Sequence, residues 1–171
     1  MNIEEFKKSI PSFIDQAIDV SKNILDGETV LTTSFDSIDE LDTIIEYLHN
    51  LWAKSLINDT VAWNVSVPLG VLLGEMIINE RGFHWTINDE SLPVEETEDR
   101  NQLSPISKLY KIITDEDECE GTARGFYEGF KALELYHSLS DDGKKEAYYI
   151  YLIPENNLDI MDFGKLDWRI K

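Results

Sequence analysis

The sequence predicts an α+β fold: a helix-rich single domain with a small antiparallel sheet or hairpin. Apolar residues recur at the 3.6-residue spacing of amphipathic helices in several stretches, and short β-branched or aromatic stretches lie between them. A chain of 171 residues that is 42 % hydrophobic is also long and apolar enough to bury a core. We find no repeat and no interdomain linker. We expect an N-terminal helix over 1–26, a core region over 30–130 and a C-terminal extension over 138–171.

The first part of the chain predicts a helix followed by a strand. Residues 3–25 carry an amphipathic pattern that we expect to be interrupted near Pro11, with Ser9 capping the restart of the helix. Residues 29–35 form a short stretch that is rich in β-branched side chains, which favours a strand.

Two central helices follow from capping signals and apolar runs. Ser37 and Glu40 form a capping-box pattern before an apolar stripe, so we expect a helix over 38–57. Residues 67–80 are apolar on nearly every side, which is typical of a helix in the centre of a fold. Gly82 stands where a glycine commonly ends a helix.

The second half of the chain predicts a hairpin and two helices. Residues 83–87 and 92–97 are the expected strands of the hairpin. Pro105 begins a short helix through 113, and Asp115 or Asp117 caps a longer helix that ends near 137. The pattern over 146–153 fits a helix or a strand.

Glycines recur every four residues in two of the predicted helices. Gly70 and Gly74 lie in the apolar helix, and Gly121, Gly125 and Gly129 lie in the later one. A glycine inside a helix costs about 0.5–1 kcal/mol relative to alanine, so a row of them calls for a reason such as close backbone approach. We predict that these helices meet through their glycine faces.

The charge of the chain excludes several classes of partner. There are 34 acidic residues against 15 Lys and Arg, a formal net charge of −19. Nucleic acids and anionic membranes are bound through clustered cations, so we expect neither. The single cysteine, Cys119, fits a reducing cytoplasm. The longest nearly uncharged run, 60–74, is too short and too polar to span a bilayer, and we predict a cytoplasmic protein.

Acidic residues concentrate in two short segments, 89–99 and 115–120. A solvated acidic face accounts for such clusters without any function. Docking of a basic partner is the sharper interpretation, because opposite charge speeds association and selects the partner. Trp85 beside the first cluster is a candidate anchor for the contact. The candidate partner-binding residues are Asp89, Glu90, Glu95, Glu96, Glu98, Asp99, Trp85, Asp115, Glu116, Asp117 and Glu118.

Few residues in the sequence are candidates for a catalytic or metal-binding role. Glu75 lies alone in the apolar helix, so it is either a buried carboxylate that needs a partner or, with Asn79, part of a narrow solvent face. Glu46-x-x-His49 and Glu134-x-x-His137 have the spacing of di-iron ligands in helical bundles. Glu46, however, lies roughly 150° from the apolar stripe of its helix and points at solvent. We therefore predict no metal, no cofactor and no catalytic residue.

Three segments form a pattern along the central chain: S-I-D-E-L-D at 37–42, L-G-V-L-L-G-E at 69–75 and G-F-H-W at 82–85. With a weaker match at 104–111 and 126–127, the pattern resembles a family of small bacterial proteins of unknown function. This resemblance implies the order helix, helix, hairpin, helix, and it implies no activity. In size and charge the chain also resembles the immunity proteins that act as partners of bacterial toxins.

These observations favour a non-enzymatic, acidic cytoplasmic protein that binds a basic protein, as an immunity protein does. One alternative is a small-molecule-binding module or enzyme with Glu75 at a pocket lined by Trp63, Trp85 or Tyr127. A second alternative is a DNA mimic, in which spaced carboxylates imitate phosphates. The sequence does not indicate an oligomeric state.

Overall fold

Helices make up most of the described chain in the computed structural model. The structure describes residues 2–25, 30–86, 94–95, 102–116 and 120–138, without the side chains of 94, 95, 102 and 132–138. The prediction of a helix-rich fold is confirmed. The helices are α1 (Ile3–Ile24), α2 (Ile38–Ala53), α3 (Asp59–Arg81), α4 (Pro105–Ile113) and α5 (Ala123–Ser138), and a 3₁₀ turn (Phe35–Ser37) precedes α2.

The extended segments are short. Strands β1 (His84–Trp85), β2 (Val94–Glu95) and β3 (Gln102–Leu103) span two residues each. They pair antiparallel in the order β1-β2-β3. β1 and β2 fall within the two stretches predicted for a hairpin. Because each strand has only two residues, this pairing alone does not establish the α+β class.

Helix α3 lies in the core because it is apolar on nearly every side. It packs most extensively against α4 and α1, and it also contacts α2. The buried Ser66 of this helix donates its hydroxyl to the carbonyl of Ala62 at 2.7 Å, so this polar group has a hydrogen-bond partner inside the core. Asn58 caps the start by accepting the N–H of Val61 at 3.0 Å. Gly82 ends the helix in the left-handed conformation, with φ of 71°, as predicted.

Two helices continue through a proline, contrary to our expectation for the first of them. α1 is unbroken at Pro11, and α3 begins at Asp59 and passes through Pro68 rather than starting at 67. Each proline removes a hydrogen bond to the carbonyl four residues earlier, on Lys7 and Asn64. Both of these residues are exposed, so water is available to the carbonyls.

The length of α3 also corrects the expectation that this stretch is too short to span a bilayer. With 23 residues, it is the one described helix that is long and apolar enough to cross a membrane. Of its most apolar window, 61 % is buried inside the protein. The core helix of a soluble protein meets the same criterion.

The segment before α2 is a hydrogen-bonded turn, not the predicted strand. Described residues 30–34 contain no strand. The hydroxyls of Thr32 and Ser37 lie 2.9 Å apart, and Ser34 accepts the N–H of Asp36 at 3.3 Å. Such local bonds compete with strand pairing. The Ser37 hydroxyl forms its hydrogen bond with Thr32 and makes no cap hydrogen bond to α2, so the predicted capping box with Glu40 does not form.

The positions of the other helix ends agree only in part with those predicted from the sequence. Asn2 and Glu5 form a capping box at the start of α1 that we did not predict. α2 ends at Ala53 rather than 57, and Ser55 beyond it adopts a left-handed φ of 56°. Pro105 occupies the first turn of α4, as predicted.

Glycines of α3 permit its close contacts with α4 and β1. A Cβ at Gly70 would lie 2.5 Å from the Cα of Ile106, and a Cβ at Gly74 would overlap the indole of Trp85. No atom lies within 4 Å of the corresponding position on Gly129 in α5, which is exposed. The predicted close approach is therefore present at the glycines of α3, and the exposed glycine row of α5 does not take part in it.

Contacts divide the chain into two compact units, Met1–Gly125 and Phe126–Lys171. The first unit contains α1 to α4, the strands and the first turn of α5. The described part of the second unit is the remainder of α5. The predicted C-terminal extension beyond 138, with its undecided element over 146–153, lies outside the described residues.

We expect Gly70→Ala to destabilise the protein by about 1–3 kcal/mol, because the new methyl group overlaps the backbone of Ile106. Urea unfolding followed by circular dichroism measures the change. Gly129→Ala is the matched control, since its methyl group meets open space and the change raises helix propensity. Equal effects of the two substitutions would contradict the close helix contact.

Candidate functional site

The polar face of α2 forms one wall of a cleft of about 350 Å³ that we call the acidic cleft. Residues three or four apart lie on one face of a helix. The end of α4 and the segment that leads into α5 form the opposite wall. Of the described lining residues, four are carboxylates and none is Lys or Arg. The lining consists of Asp39, Asp42, Thr43, Ile45, Glu46, His49, Asn50, Ile112, Asp115, Gly121 and Thr122.

A second cleft of about 600 Å³, which we call the Trp52 cleft, shares His49 and Asp115 with the first. The part of its lining that the structure describes also contains no Lys or Arg. Trp52 donates its indole N–H to a carboxylate oxygen of Asp59 at 2.8 Å, which holds the ring at the junction of α2 and α3. The clefts therefore adjoin each other and carry the same sign of charge. The Trp52 cleft is lined by His49, Trp52, Ala53, Ser55, Ile57, Asn58, Asp59, Asp115 and Glu116.

His49 is half-buried between the two clefts. Its Nδ1 lies 3.2 Å from the carbonyl oxygen of Ile113 at the end of α4. A carbonyl only accepts hydrogen bonds, so Nδ1 carries the proton and donates. In the neutral ring, Nε2 then has the lone pair that can take up a proton.

Asp42 connects α2 to the first turn of α5. Its carboxylate accepts the N–H of Ala123 at 2.7 Å and that of Arg124 at 3.2 Å. Thr122 accepts the N–H of Gly125 at 2.9 Å. These bonds satisfy amide groups that a helix start leaves without intrahelical partners, and a negative charge there also complements the helix dipole. Of the two expected caps, Asp115 instead accepts the N–H of Glu120, and Asp117 lies outside the described residues.

Burial raises the pKa of the Asp42 carboxyl above its ordinary value. The hydrogen bonds from the N–H groups of Ala123 and Arg124 and from the Thr122 side chain act in the opposite direction, and the charge of Asp39 adds to the rise. Burial prevails over the cap.

Cations near the acidic cleft are already engaged with carboxylates. Arg124 contacts Asp39 at 2.8 Å and lies 5.9 Å from the centre of the Phe35 ring. Lys108 contacts the Glu120 carboxylate at 2.6 Å and also donates to its backbone carbonyl. These pairs hold the walls of the cleft in place and leave its lining negative.

Two of the predicted partner-binding acids lie at the clefts. Asp115 lines both clefts and also accepts the N–H of Glu120, while Glu116 is exposed and lines the Trp52 cleft. Asp89, Glu90, Glu96, Glu98, Asp99, Asp117 and Glu118 lie outside the described residues, as does the side chain of Glu95.

Trp85 is not the exposed anchor that we expected. It is only 4 % exposed and packs edge-on against Phe6, with ring centres 5.0 Å apart. Its indole N–H donates to a carboxylate oxygen of Glu75 at 2.7 Å. The half-buried carboxylate of Glu75 thus has a hydrogen-bond partner, the buried indole of Trp85. Asn79 is exposed and donates its side-chain N–H to the carbonyl of Thr33.

The described residues contain no group of three or more His, Cys, Asp or Glu side chains that could hold a metal ion. Glu46 is exposed, as its helical position predicted. The side chains of Glu134 and His137 lie outside the description.

Asp39, Asp42 and His49 belong to the site, although our sequence reasoning assigned them no functional role. A signal for them exists in the sequence. Polar residues at 39, 42, 43, 46, 49 and 50 recur every three or four positions, opposite the apolar stripe of α2.

Comparisons of the chain with protein families, curated proteins and solved structures find no significant match. The function of the clefts is therefore inferred from their own chemistry.

We expect the free energy of unfolding of the wild type to fall, relative to Asp42→Asn, as pH rises from 3.8 through the raised pKa of Asp42. In this window the folded state binds more protons than the unfolded state, so its stability declines with pH. Urea unfolding across this pH range measures the difference. Asp15→Asn, on the exposed face of α1, is the control. Parallel curves for the wild type and Asp42→Asn would rule out the raised pKa.

We expect Trp85→Phe to cost about 1–3 kcal/mol of stability, because the half-buried Glu75 loses its donor. A double-mutant cycle with Glu75→Ala, which removes the acceptor of the indole N–H, measures the coupling. Stability unchanged in Trp85→Phe would show that this hydrogen bond contributes nothing.

Proposed function

We propose that the protein binds a basic protein partner through the acidic cleft and the Trp52 cleft. The observation that carries this proposal is that, among the residues that the structure describes, the linings of two adjoining clefts contain carboxylates and no Lys or Arg. Walls of one charge sign concentrate the field within a cleft and attract ligands of the opposite sign. The net charge of −19 extends this attraction beyond the clefts.

The chemistry of the linings fits lysine and arginine side chains. Carboxylates bind guanidinium groups through charge-assisted hydrogen bonds, often with two bonds at once. Trp52 is half-buried in the second cleft and adds an aromatic surface, which attracts cations through its ring electrons. Both features favour a cationic ligand.

The size of the clefts favours a protein over a single small cation. Volumes of about 350 and 600 Å³ exceed the space that one lysine or arginine side chain needs, although they also lie within the range of small-molecule sites. A basic protein surface that presents several cations fills both clefts together. Neutralisation of a basic toxin, in the manner of an immunity protein, is the form of this function that agrees with the size and charge of the chain.

The remaining expectations from the sequence accompany this proposal. We propose a cytoplasmic location and membership in the uncharacterised bacterial family, supported by the sequence patterns. We also propose the α+β class, supported by antiparallel pairing of the two-residue strands.

We expect Glu46→Lys to weaken binding of the basic partner about tenfold or more, because it reverses an exposed charge at the acidic cleft. The partner is captured from the native host at low ionic strength and identified by mass spectrometry. Its affinity for the purified wild type and variants is then measured by calorimetry at several salt concentrations. Added salt should weaken the complex.

Asp15→Lys is the matched control, since it makes the same charge change at an exposed position within α1. We expect its affinity to stay within about twofold of the wild type at moderate salt, where distant charges are screened. Equal losses from both variants would mean that net charge, not the cleft, governs binding. Failure to enrich any basic protein would count against the proposed function itself.

A further inference from the structure

We infer that His49 makes the two clefts sensitive to pH: protonation of its ring places a positive charge between them and weakens the binding of a cationic partner. This inference rests on the proposed function and adds its regulation. It follows from the position of His49, from its hydrogen bond to Ile113 and from the charges that face it.

The hydrogen bond to Ile113 directs the added proton to Nε2. Nδ1 donates to the Ile113 carbonyl at 3.2 Å, so it already carries a hydrogen in the neutral ring. Protonation adds the second hydrogen at Nε2 and leaves the bond to Ile113 in place. The contact between α2 and α4 therefore survives in both charge states, and the charge of the clefts is what changes.

The other titratable residues among the described linings of the two clefts are all acids. Histidine is the side chain that ordinarily changes charge between about pH 5 and 8, whereas a carboxylate with its ordinary pKa remains largely ionised there. Burial raises the pKa of Asp42, which therefore carries less of this charge than its neighbours at the lower pH. A protonated His49 therefore competes with a lysine or arginine of the partner for the same carboxylates. These are Asp39, Asp42 and Glu46 from α2, Asp59 from α3, and Asp115 and Glu116 from the segment after α4.

The experiment uses a capped hexa-arginine peptide as the cationic probe, with the full chain, at about pH 8 and pH 5.5 and constant ionic strength. We expect the wild type to bind the probe about tenfold more weakly at the lower pH, the order of effect that one added charge produces near a protein surface. His49→Gln keeps a side-chain donor for Ile113 but cannot gain a charge. Its affinity should change less than about threefold between the two pH values.

His84→Gln is the matched control, because His84 is exposed on β1 and lines neither cleft. It should retain the pH dependence of the wild type. A pH-independent wild type, or His49→Gln with the full wild-type dependence, would overturn the role of His49 while leaving the proposed function standing. Absence of probe binding at both pH values, in the wild type and in His49→Gln, would overturn the proposed function and this inference together.

Nuclear magnetic resonance of the wild type provides a test that requires no variant to fold. Imidazole nitrogen shifts at pH 8 should show the hydrogen on Nδ1 of His49. Linkage is reciprocal, so the bound peptide should disfavour the addition of a proton to His49. A hydrogen on Nε2 in the neutral ring, or imidazole shifts that respond to acid equally with and without the peptide, would contradict the inference.

Discussion

Close contact between α3 and α4 at Gly70 is the constraint on which the described site depends. The Cα of Ile106 approaches so near that a side chain at Gly70 has no room, and this approach fixes where α4 lies against the core. The far end of α4 supplies Ile112 to the acidic cleft and the Ile113 carbonyl to His49. Packing within an apolar interior therefore determines the orientation of a polar residue at the surface.

Asp42 illustrates a conflict between burial and hydrogen bonding. Partial burial disfavours its charge, whereas two N–H groups at the start of α5 and the Thr122 side chain favour it. The raised pKa shows that burial has the larger effect. The same carboxylate lines the acidic cleft, so the residue that caps the first turn of α5 also contributes to the field of the cleft.

The structure shows where part of the negative charge lies, whereas the composition gives only its total. Arg124 and Lys108 are bound to Asp39 and Glu120, and neither lines a cleft. Among the described lining residues of the two clefts, His49 is the one basic side chain. The proposed basic partner and the inferred response to pH both rest on this arrangement.

Local patterns in the sequence were sufficient to predict most helices, the glycine end of α3 and the proline start of α4, because spacing and capping chemistry act between near neighbours. They also contain the polar stripe of α2. The site itself requires contacts between distant residues: Asp42 meets Ala123, and His49 meets Ile113. Burial of Trp85 likewise depends on the distant Gly74 and Glu75. A residue pattern shows which face of a helix is apolar, but packing of the whole chain decides which faces meet.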